Sequence, residues 1–126
     1  QVASDDTITV VVDPEHFKRI LSNLFDNGLR HSSEEGECYR LRLDMSLDDR
    51  GEKVFIDVVD FGLGVQEQNI PRLFEPFFTT SKQGSGLGLY LCKELCEING
   101  ARLAYKRTRL DESAFRVTVN REPVTP

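Results

Sequence analysis

Alternating apolar and polar residues predict strands at several places along the chain. The segment TITVVVD at 7–13 is rich in β-branched residues, and CYRLRLDMSL at 38–47 and KVFIDVVD at 53–60 lie on either side of the polar turn DDRGE. The last two segments therefore predict an antiparallel hairpin. A second hairpin is predicted near the end of the chain, from ARLAYKRT at 101–108 and SAFRVTVN at 113–120.

Two other segments have apolar residues at helical spacing. From Pro14 to about His31 these residues recur every three or four positions, and the preceding Asp13 is a typical helix-capping residue. From Gly86 a run of leucines predicts a second helix, which an Asn-Gly pair ends. Because helices alternate with strands that form hairpins, the sequence predicts an α+β fold with helices packed on one face of a sheet.

The segment between the second predicted strand and the second helix, about 65–85, has neither periodicity. Glycines flank it, and it contains two prolines. Its middle holds an apolar cluster formed by Leu73, Phe74, Phe77 and Phe78. A connection of this length in a small domain is typically either a functional lid or disordered. With no repeat and no internal boundary, residues 1–126 are predicted to form a single domain with a disordered tail at 121–126.

Composition and charge narrow the class of protein. A chain of 126 residues with 39% hydrophobic and 29% charged residues is typical of one soluble globular domain. The net charge is −5 and the 16 Lys and Arg are dispersed, which argues against nucleic acid as a partner. No apolar run approaches the ~20 residues that span a bilayer, so we expect a cytoplasmic domain, whose parent protein could still be membrane-anchored. The three cysteines lack a metal-site pattern and are expected to be free thiols.

Two groups of polar residues are candidates for chemistry. Asn23, Asn27 and Arg30 lie on one stripe of the first helix, at i, i+4 and i+7. Asparagine is a poor helix former, so this stripe is either a polar rim or a site where an amide oxygen binds Mg²⁺ and the arginine binds phosphate. Asp60 ends the second strand before Gly62 and Gly64. It either ends the strand in a simple turn or accepts a hydrogen bond from an adenine amino group.

Two glycine-containing motifs only partly match known nucleotide-binding patterns. The run GSGLGL at 84–89 lacks the Gly-Lys-Ser/Thr of a P-loop and has Leu89 where a dinucleotide fingerprint needs glycine. Glycines at a helix N-terminus serve either close packing or the approach of a phosphate to backbone N–H groups. The triplet at 60–62 matches the magnesium motif of eukaryotic-type protein kinases, but the sequence has no HRD loop and no glycine loop upstream.

Four motifs, in this order, resemble those of one family. NLFDNGLRHS at 23–32, DFGLG at 60–64, LFEPFFTT at 73–80 and GSGLGL at 84–89 resemble the N box, first glycine box, F box and second glycine box of bacterial two-component sensor histidine kinases. The wider group holds the ATPase domains of gyrase, Hsp90 and MutL. The last two motifs are most similar to kinases that control nitrogen regulation and type IV pili. The resemblance implies a Bergerat fold, a two-layer α/β sandwich with a mixed, mostly antiparallel sheet and a long ATP lid.

The resemblance also implies roles for the motif residues in binding Mg·ATP. Asn27 would bind Mg²⁺, while Asn23 and Arg30 would support the phosphates during catalysis. His31 would lie near the adenine or ribose, and Asp60 would accept a hydrogen bond from the adenine amino group. The remaining implied nucleotide contacts are Gly62, Gly64, Lys82, Gly84, Gly86, Leu87 and Gly88.

The implied activity is transfer of the γ-phosphoryl group to a histidine on a separate dimerisation and phosphoacceptor domain, upstream of a response regulator. Neither His16 nor His31 has the context of an acceptor site, so the chain is expected to be a C-terminal fragment of a dimeric kinase. The acceptor domain would contact the lid through Phe74, Phe77 and Phe78, which are expected to form an exposed aromatic cluster; the alternative is that they pack in the core.

Two alternatives and two departures from the family pattern accompany this interpretation. A stand-alone ATPase or serine kinase would typically have glutamate where Asn23 stands, and a nucleotide-independent scaffold would not need the intact motifs.

Gly28 replaces the usual alanine, which costs the helix about 1 kcal/mol and allows closer packing. Arg30 replaces the usual lysine and keeps its charge.

Overall fold

The computed structural model describes residues 7–32, 40–79 and 84–123. In chain order the elements are α1 (Pro14–Ser32), β1 (Leu41–Leu47), β2 (Lys53–Asp60), a 3₁₀ helix (Glu67–Arg72), α2 (Gly88–Ile98), β3 (Arg102–Arg107) and β4 (Ser113–Asn120). Both predicted helices and both predicted hairpins are confirmed, and so is the α+β class.

The four strands form one sheet in the order β1-β2-β4-β3. Each neighbouring pair is antiparallel, so chain-distant strands meet in the centre of the sheet. The register places Asp60 of β2 between Leu41 of β1 and Ser113 of β4. The end of β2 and the start of β4 therefore share one edge of the sheet.

The two helices pack on one face of this sheet and enclose the hydrophobic core. Its most buried members are Ile20 and Leu24 of α1, Cys92 and Cys96 of α2, Val54, Ile56 and Val58 of β2, and Phe115, Val117 and Val119 of β4. Burial raises the pKa of Cys92 to about 12 and that of Cys96 to about 11. Both thiols are free, as predicted, and Cys38 lies outside the described residues. No helix in the described ranges is long and apolar enough to cross a membrane.

The start of α1 is tied to the end of α2 through Asn99. The backbone N–H of Asp13 donates to Asn99 Oδ1 at 2.8 Å, while Asn99 Nδ2 contacts Leu95 O at 2.7 Å and His16 Nδ1 at 3.0 Å. Asp13 Oδ1 accepts from the backbone N–H of His16 at 3.0 Å, which confirms the predicted N-cap. These bonds fix how the two helices lie relative to each other.

The prediction of a strand over 7–13 is wrong except for one bridge, between Val10 and Arg121. The helix start is held against α2, so only the residues near Val10 reach the chain beyond β4. The predicted disordered tail is also wrong at its beginning, because the Arg121 N–H donates to Glu52 O at 2.9 Å. Residues 124–126 lie outside the described ranges.

Gly28 brings α1 close to the sheet. A Cβ at this position would lie 2.6 Å from Leu41 Cδ2 and 3.5 Å from Asp60 Cβ. The glycine therefore permits a close approach of the helix to β1 and β2, which confirms the packing role that its sequence position suggested. It also brings the polar stripe of α1 to the edge of the sheet where Asp60 lies.

Candidate active site

A cavity of about 350 Å³ lies at this edge of the sheet, between α1, the end of β2, the connection to α2 and the start of β4. Most of the predicted ligand contacts line it, namely Asn23, Asn27, Arg30, His31, Asp60, Gly64, Gly84, Gly86 and Gly88. Gly62 and Leu87 do not line it. Lys82 lies outside the described residues. The fold thus brings together residues from motifs that are up to 65 positions apart.

The polar stripe of α1 forms one wall of the cavity. Asn27 Nδ2 is buried and has no hydrogen-bond partner among the described residues. Asn23 Nδ2 donates to the carbonyl oxygen of Gly88 at 3.5 Å, a long hydrogen bond that links α1 to the first residue of α2. A buried amide group without a partner costs free energy, so Asn27 is suited to a polar ligand.

Asp60 lies at the bottom of the cavity with only 3% of its surface exposed. Its Oδ1 accepts the backbone N–H of Gly62 at 2.9 Å, which orients the carboxylate. A Cβ on Gly62 would lie 2.6 Å from the carbonyl oxygen of His31, so this glycine lets the end of α1 pack on the loop. The structure therefore gives Gly62 a packing role, whereas the resemblance implied a nucleotide contact.

The glycines of the GSGLGL run serve different purposes. Gly86 has φ +78°, and a Cβ on it would lie 2.6 Å from Phe77 Cα and 2.7 Å from Phe77 O. The Phe77 N–H also donates to Gly86 O at 2.9 Å, so Gly86, which follows the lid, is joined to the middle of the lid. Gly88, in contrast, has ordinary backbone geometry, and a Cβ there would meet no atom of the described residues within 4 Å. Packing within this part of the chain therefore does not require glycine at position 88. The Leu87 N–H donates to Ser85 Oγ at 3.3 Å.

Some residues of the apolar cluster of the lid pack against the core, and one is exposed. Phe74 and Phe78 pack against the core, and the Phe74 ring lies 6.2 Å from that of Phe115 in an edge-to-face arrangement. Phe77 is 74% exposed and has φ +68°, which is unusual for a residue with a side chain. The expectation of an exposed aromatic cluster is therefore wrong for Phe74 and Phe78, and correct for Phe77.

Several cavity residues were missed by the sequence analysis. They are Leu63, Val65, Gln66, Asn69, Leu73, Phe78, Thr79, Ser85, Leu89, Ser113 and Phe115. Ser113 and Phe115 belong to a predicted strand, and the alternation along that strand correctly predicts that they share one face. Only the pairing of β4 with β2 reveals that this face lies beside Asp60.

Comparison with protein families gives a match over nearly the whole chain. The family described as "Histidine kinase-, DNA gyrase B-, and HSP90-like ATPase" matches residues 12–123. Among curated proteins, the chain is 41% identical over 107 residues to the sensor protein kinase PilS of Pseudomonas aeruginosa, and 36% identical over 104 residues to the alginate biosynthesis sensor protein KinB of the same species. These alignments cover 85% and 81% of the chain but only 20% and 17% of the relatives. The chain thus spans about a fifth of their length.

Solved structures agree with this match. The catalytic domain of the histidine kinase ThkA has a TM-score of 0.72 and 27% identity, and the alignment covers 86% of this chain and 68% of ThkA. Full-length ShkA, solved with AMPPNP, has a TM-score of 0.76 and 25% identity, over 95% of this chain and 24% of ShkA. The mycobacterial sensor histidine kinase MprB shares the fold, with a TM-score of 0.77 over 91% of this chain and 76% of MprB at 24% identity. The chain belongs to the histidine kinase-, DNA gyrase B- and HSP90-like ATPase family, and it is a catalytic domain of the sensor histidine kinase type.

Proposed function

We propose that the cavity binds Mg·ATP and that the domain donates the γ-phosphoryl group to a histidine on a separate dimerisation and phosphoacceptor domain. The observation that carries this proposal is the convergence of three groups in one cavity. The buried carboxylate of Asp60, the side-chain amide of Asn27 and an unobstructed helix start at Gly88 all line the same cavity. These groups suit an adenine, a metal ion bound by the amide oxygen, and a phosphate, in that order.

The adenine would bind at the sheet end of the cavity. Asp60 is held by the Gly62 N–H and can accept a hydrogen bond from an exocyclic amino group. Val65 and Phe115 supply apolar surface beside it for a purine ring. A guanine would present a carbonyl oxygen to this carboxylate, and two acceptors repel each other. The proposed site therefore favours adenine.

The phosphates would bind between α1 and the start of α2. No group of three or more His, Cys, Asp or Glu among the described residues could hold a metal ion. A Mg²⁺ ion would thus depend on the Asn27 amide oxygen and on phosphate oxygens, which suits its preference for few protein ligands. The bound ion would offset the charge of the phosphates. Arg30 at the cavity wall and the N–H groups of α2 would add to this effect.

Further nucleotide contacts are proposed from the resemblance. Lys82 would reach the γ-phosphate, and the backbone at Gly84 and Gly86 would border the phosphates. Leu87 would offer its backbone N–H after exchanging its bond to Ser85 Oγ for a phosphate oxygen. His31 would contact the adenine or ribose, since it lines the cavity at the end of α1.

Transfer to a histidine is favoured over hydrolysis of ATP. Asn23 stands one helical turn before Asn27, and an amide cannot act as a general base for water. The nucleophile must then come from a side chain that is itself reactive, as an imidazole is. His16 is bound to Asn99 and lies about 16 Å along α1 from Asn27, which argues against it as an acceptor within the same chain.

The exposed ring of Phe77 is the proposed contact for the acceptor domain. Its backbone is held at Gly86, next to the cavity, so a partner that packs on this ring would lie close to the bound phosphates. In the parent kinase this partner would be the dimeric domain that bears the histidine. A response regulator would then take the phosphoryl group from that histidine.

Calorimetric titration of the chain with ADP and a non-hydrolysable ATP analogue, with and without Mg²⁺, tests the proposal. Asp60→Asn should weaken binding of both nucleotides at least tenfold, and Asn27→Ala should abolish the effect of Mg²⁺. Asp26→Asn, an exposed change on α1 outside the cavity, is the matched control and should bind as the wild type does. Equal binding by Asp60→Asn and the wild type would refute the adenine assignment.

A further inference from the structure

The backbone of Gly64, on the wall of the cavity, is packed against two side chains of β3. Gly64 has φ +85°, and a Cβ on it would overlap Arg107 Nη1 and would lie 2.9 Å from Tyr105 Oη. Gly64 and the following Val65 line the cavity, whereas Tyr105 and Arg107 lie behind them. The two β3 side chains thus support the cavity wall from outside.

The phenol of Tyr105 links this wall to β3. The backbone N–H of Val65 donates to Tyr105 Oη at 3.1 Å, and Arg107 Nη1 donates to the same oxygen at 3.4 Å. The phenol oxygen therefore accepts hydrogen bonds both from the backbone of the cavity wall and from Arg107.

Burial by itself would raise the pKa of the Tyr105 phenol, but these surrounding hydrogen bonds outweigh burial, and the pKa is lowered. A lowered pKa agrees with a phenol oxygen that accepts hydrogen bonds from several donors. The donors hold the phenol in place, and the phenol in turn holds the Val65 amide.

Arg107 is itself held by the turn between β3 and β4. Its Nε donates to Asp111 Oδ1 at 2.9 Å and its Nη2 donates to Asp111 O at 2.6 Å. Asp111 has φ +62° and an 83% exposed side chain, so it lies on the surface of the turn. A fork of two hydrogen bonds fixes the plane of the guanidinium, which lysine could not reproduce.

We propose that Tyr105 and Arg107 are positioning residues that set the selectivity of the cavity for adenine, by fixing the Gly64-Val65 backbone beside Asp60. The proposal rests on the proposed nucleotide binding and deepens it. Hydrogen bonds discriminate between bases only when the ring is held in one place relative to the carboxylate. A wall that moves would let a purine tilt away from Asp60, and adenine would lose more than guanine because only adenine gains from that carboxylate.

Titration of Tyr105→Phe with ADP, GDP and inorganic tripolyphosphate, all with Mg²⁺, tests the proposal. The variant loses the bond to the Val65 amide, so ADP should bind about 3- to 10-fold more weakly. GDP should change less, the ADP-to-GDP affinity ratio should fall, and tripolyphosphate should bind as before. Tyr90→Phe removes a hydroxyl from α2, outside the cavity, and should leave all three affinities unchanged.

Asp111→Asn gives a second test from a position that no ligand could touch. Asparagine tolerates a positive φ and preserves the fold, but it weakens the charged anchor of Arg107. We expect a smaller fall in the ADP-to-GDP ratio than for Tyr105→Phe, and we expect Arg107→Lys to behave like Asp111→Asn.

The outcomes separate this proposal from the one on which it rests. If the wild type binds ADP and Tyr105→Phe keeps its ADP-to-GDP ratio, the positioning role is wrong and nucleotide binding stands. If Tyr105→Phe weakens tripolyphosphate as much as ADP, the residue stabilises the whole cavity and does not set selectivity. If the wild type binds neither nucleotide, the proposed function fails and the positioning role fails with it.

Discussion

Replacement of Gly88 by alanine tests whether the fold or a ligand requires glycine at this position. Gly88 is the first residue of α2, its φ is not positive, and a Cβ would meet no atom within 4 Å in the ranges 7–32, 40–79 and 84–123. Alanine should therefore be neutral for the fold or stabilise it by up to about 1 kcal/mol, because glycine is the poorer helix former. The added methyl group would enter the open space at the start of α2.

The cost should appear in nucleotide affinity. A phosphate oxygen must come within about 2.9 Å of a backbone nitrogen to form a hydrogen bond. A methyl group at the helix start hinders this approach, and a hydrogen bond to a charged group contributes about 1.5–3 kcal/mol. We expect Gly88→Ala to bind ADP roughly 10- to 100-fold more weakly in calorimetric titration. Thermal unfolding without nucleotide should show an unchanged or higher Tm.

Gly28→Ala is the contrasting variant, because it makes the same change at a helical glycine that packs on the sheet and does not line the cavity. Its Cβ would press on Leu41 Cδ2, so its Tm should be equal to or lower than that of the wild type, and any loss of ADP affinity should come with that loss of stability. The reasoning would be refuted if Gly88→Ala bound ADP as tightly as the wild type. A large fall in the Tm of Gly88→Ala would likewise show that the fold, and not a ligand, requires this glycine.

Three further predictions concern the fold around the site. Gly86→Ala forces a side chain into a positive φ and against the backbone of Phe77, so urea denaturation should show a loss of about 1–3 kcal/mol. Arg116→Ala leaves the carboxylate of Asp57, which it holds at 2.8 and 3.0 Å, buried without its partner, and should cost about 3 kcal/mol by the same assay. The helix N–H groups lower the pKa of Asp13 below 3.8, so its contribution to stability is present above that pH and is lost as the pH falls through the lowered pKa. A pH series of Tm values should show this loss in the wild type but not in Asp13→Asn, which keeps a capping side chain without the charge.

Each of these has a control or a contradicting result. Arg102→Ala removes an exposed arginine from β3 and should change stability by less than about 0.5 kcal/mol, unlike Arg116→Ala. Equal losses in the two variants would show that the ion pair with Asp57 is not the cause. For Gly86→Ala, a urea unfolding midpoint equal to that of the wild type would contradict the close approach of Phe77 to Gly86. For Asp13→Asn, an acid-induced fall in Tm equal to that of the wild type would remove Asp13 as its source.

Local physical chemistry explains the elements that the sequence predicted correctly. Helical spacing, the Asp13 cap and the Asn99-Gly100 stop depend on residues within a few positions of one another, and both helices were found where these signals placed them. The two hairpins follow from alternation on either side of short polar turns. The motif order likewise predicted the family, because it needs no knowledge of which segments touch.

The strand predicted at 7–13 shows the limit of local preference. Its β-branched residues favour extended structure, but a strand exists only where a neighbour offers its hydrogen-bonding edge. Asp13 is bound to Asn99 on the helical layer, and this bond leaves only Val10 in register with the chain after β4. The tertiary contact therefore overrode the preference.

The candidate site, too, was predicted in part from the sequence, and the rest of it was revealed only by the tertiary structure. The spacing on α1 determined that Asn23 and Asn27 share one stripe, and the family resemblance supplied Asp60 and the glycines. Only the pairing of β2 with β4 brought Ser113 to Asp60, and only the position of β3 brought Tyr105 behind the cavity wall. These pairs are 53 and about 40 residues apart, so no local rule connects them.

Glycines and aromatic residues show what the tertiary structure alone decided. In the sequence, Gly62, Gly86 and Gly88 look alike, yet packing explains the first two and leaves the third unexplained without a ligand. Phe77 and Phe78 are adjacent, yet one ring is exposed and the other packs on the core. A sequence determines which conformations a residue can adopt at low cost. Which atoms surround that residue depends on strand register and helix packing, which are set by contacts between distant parts of the chain.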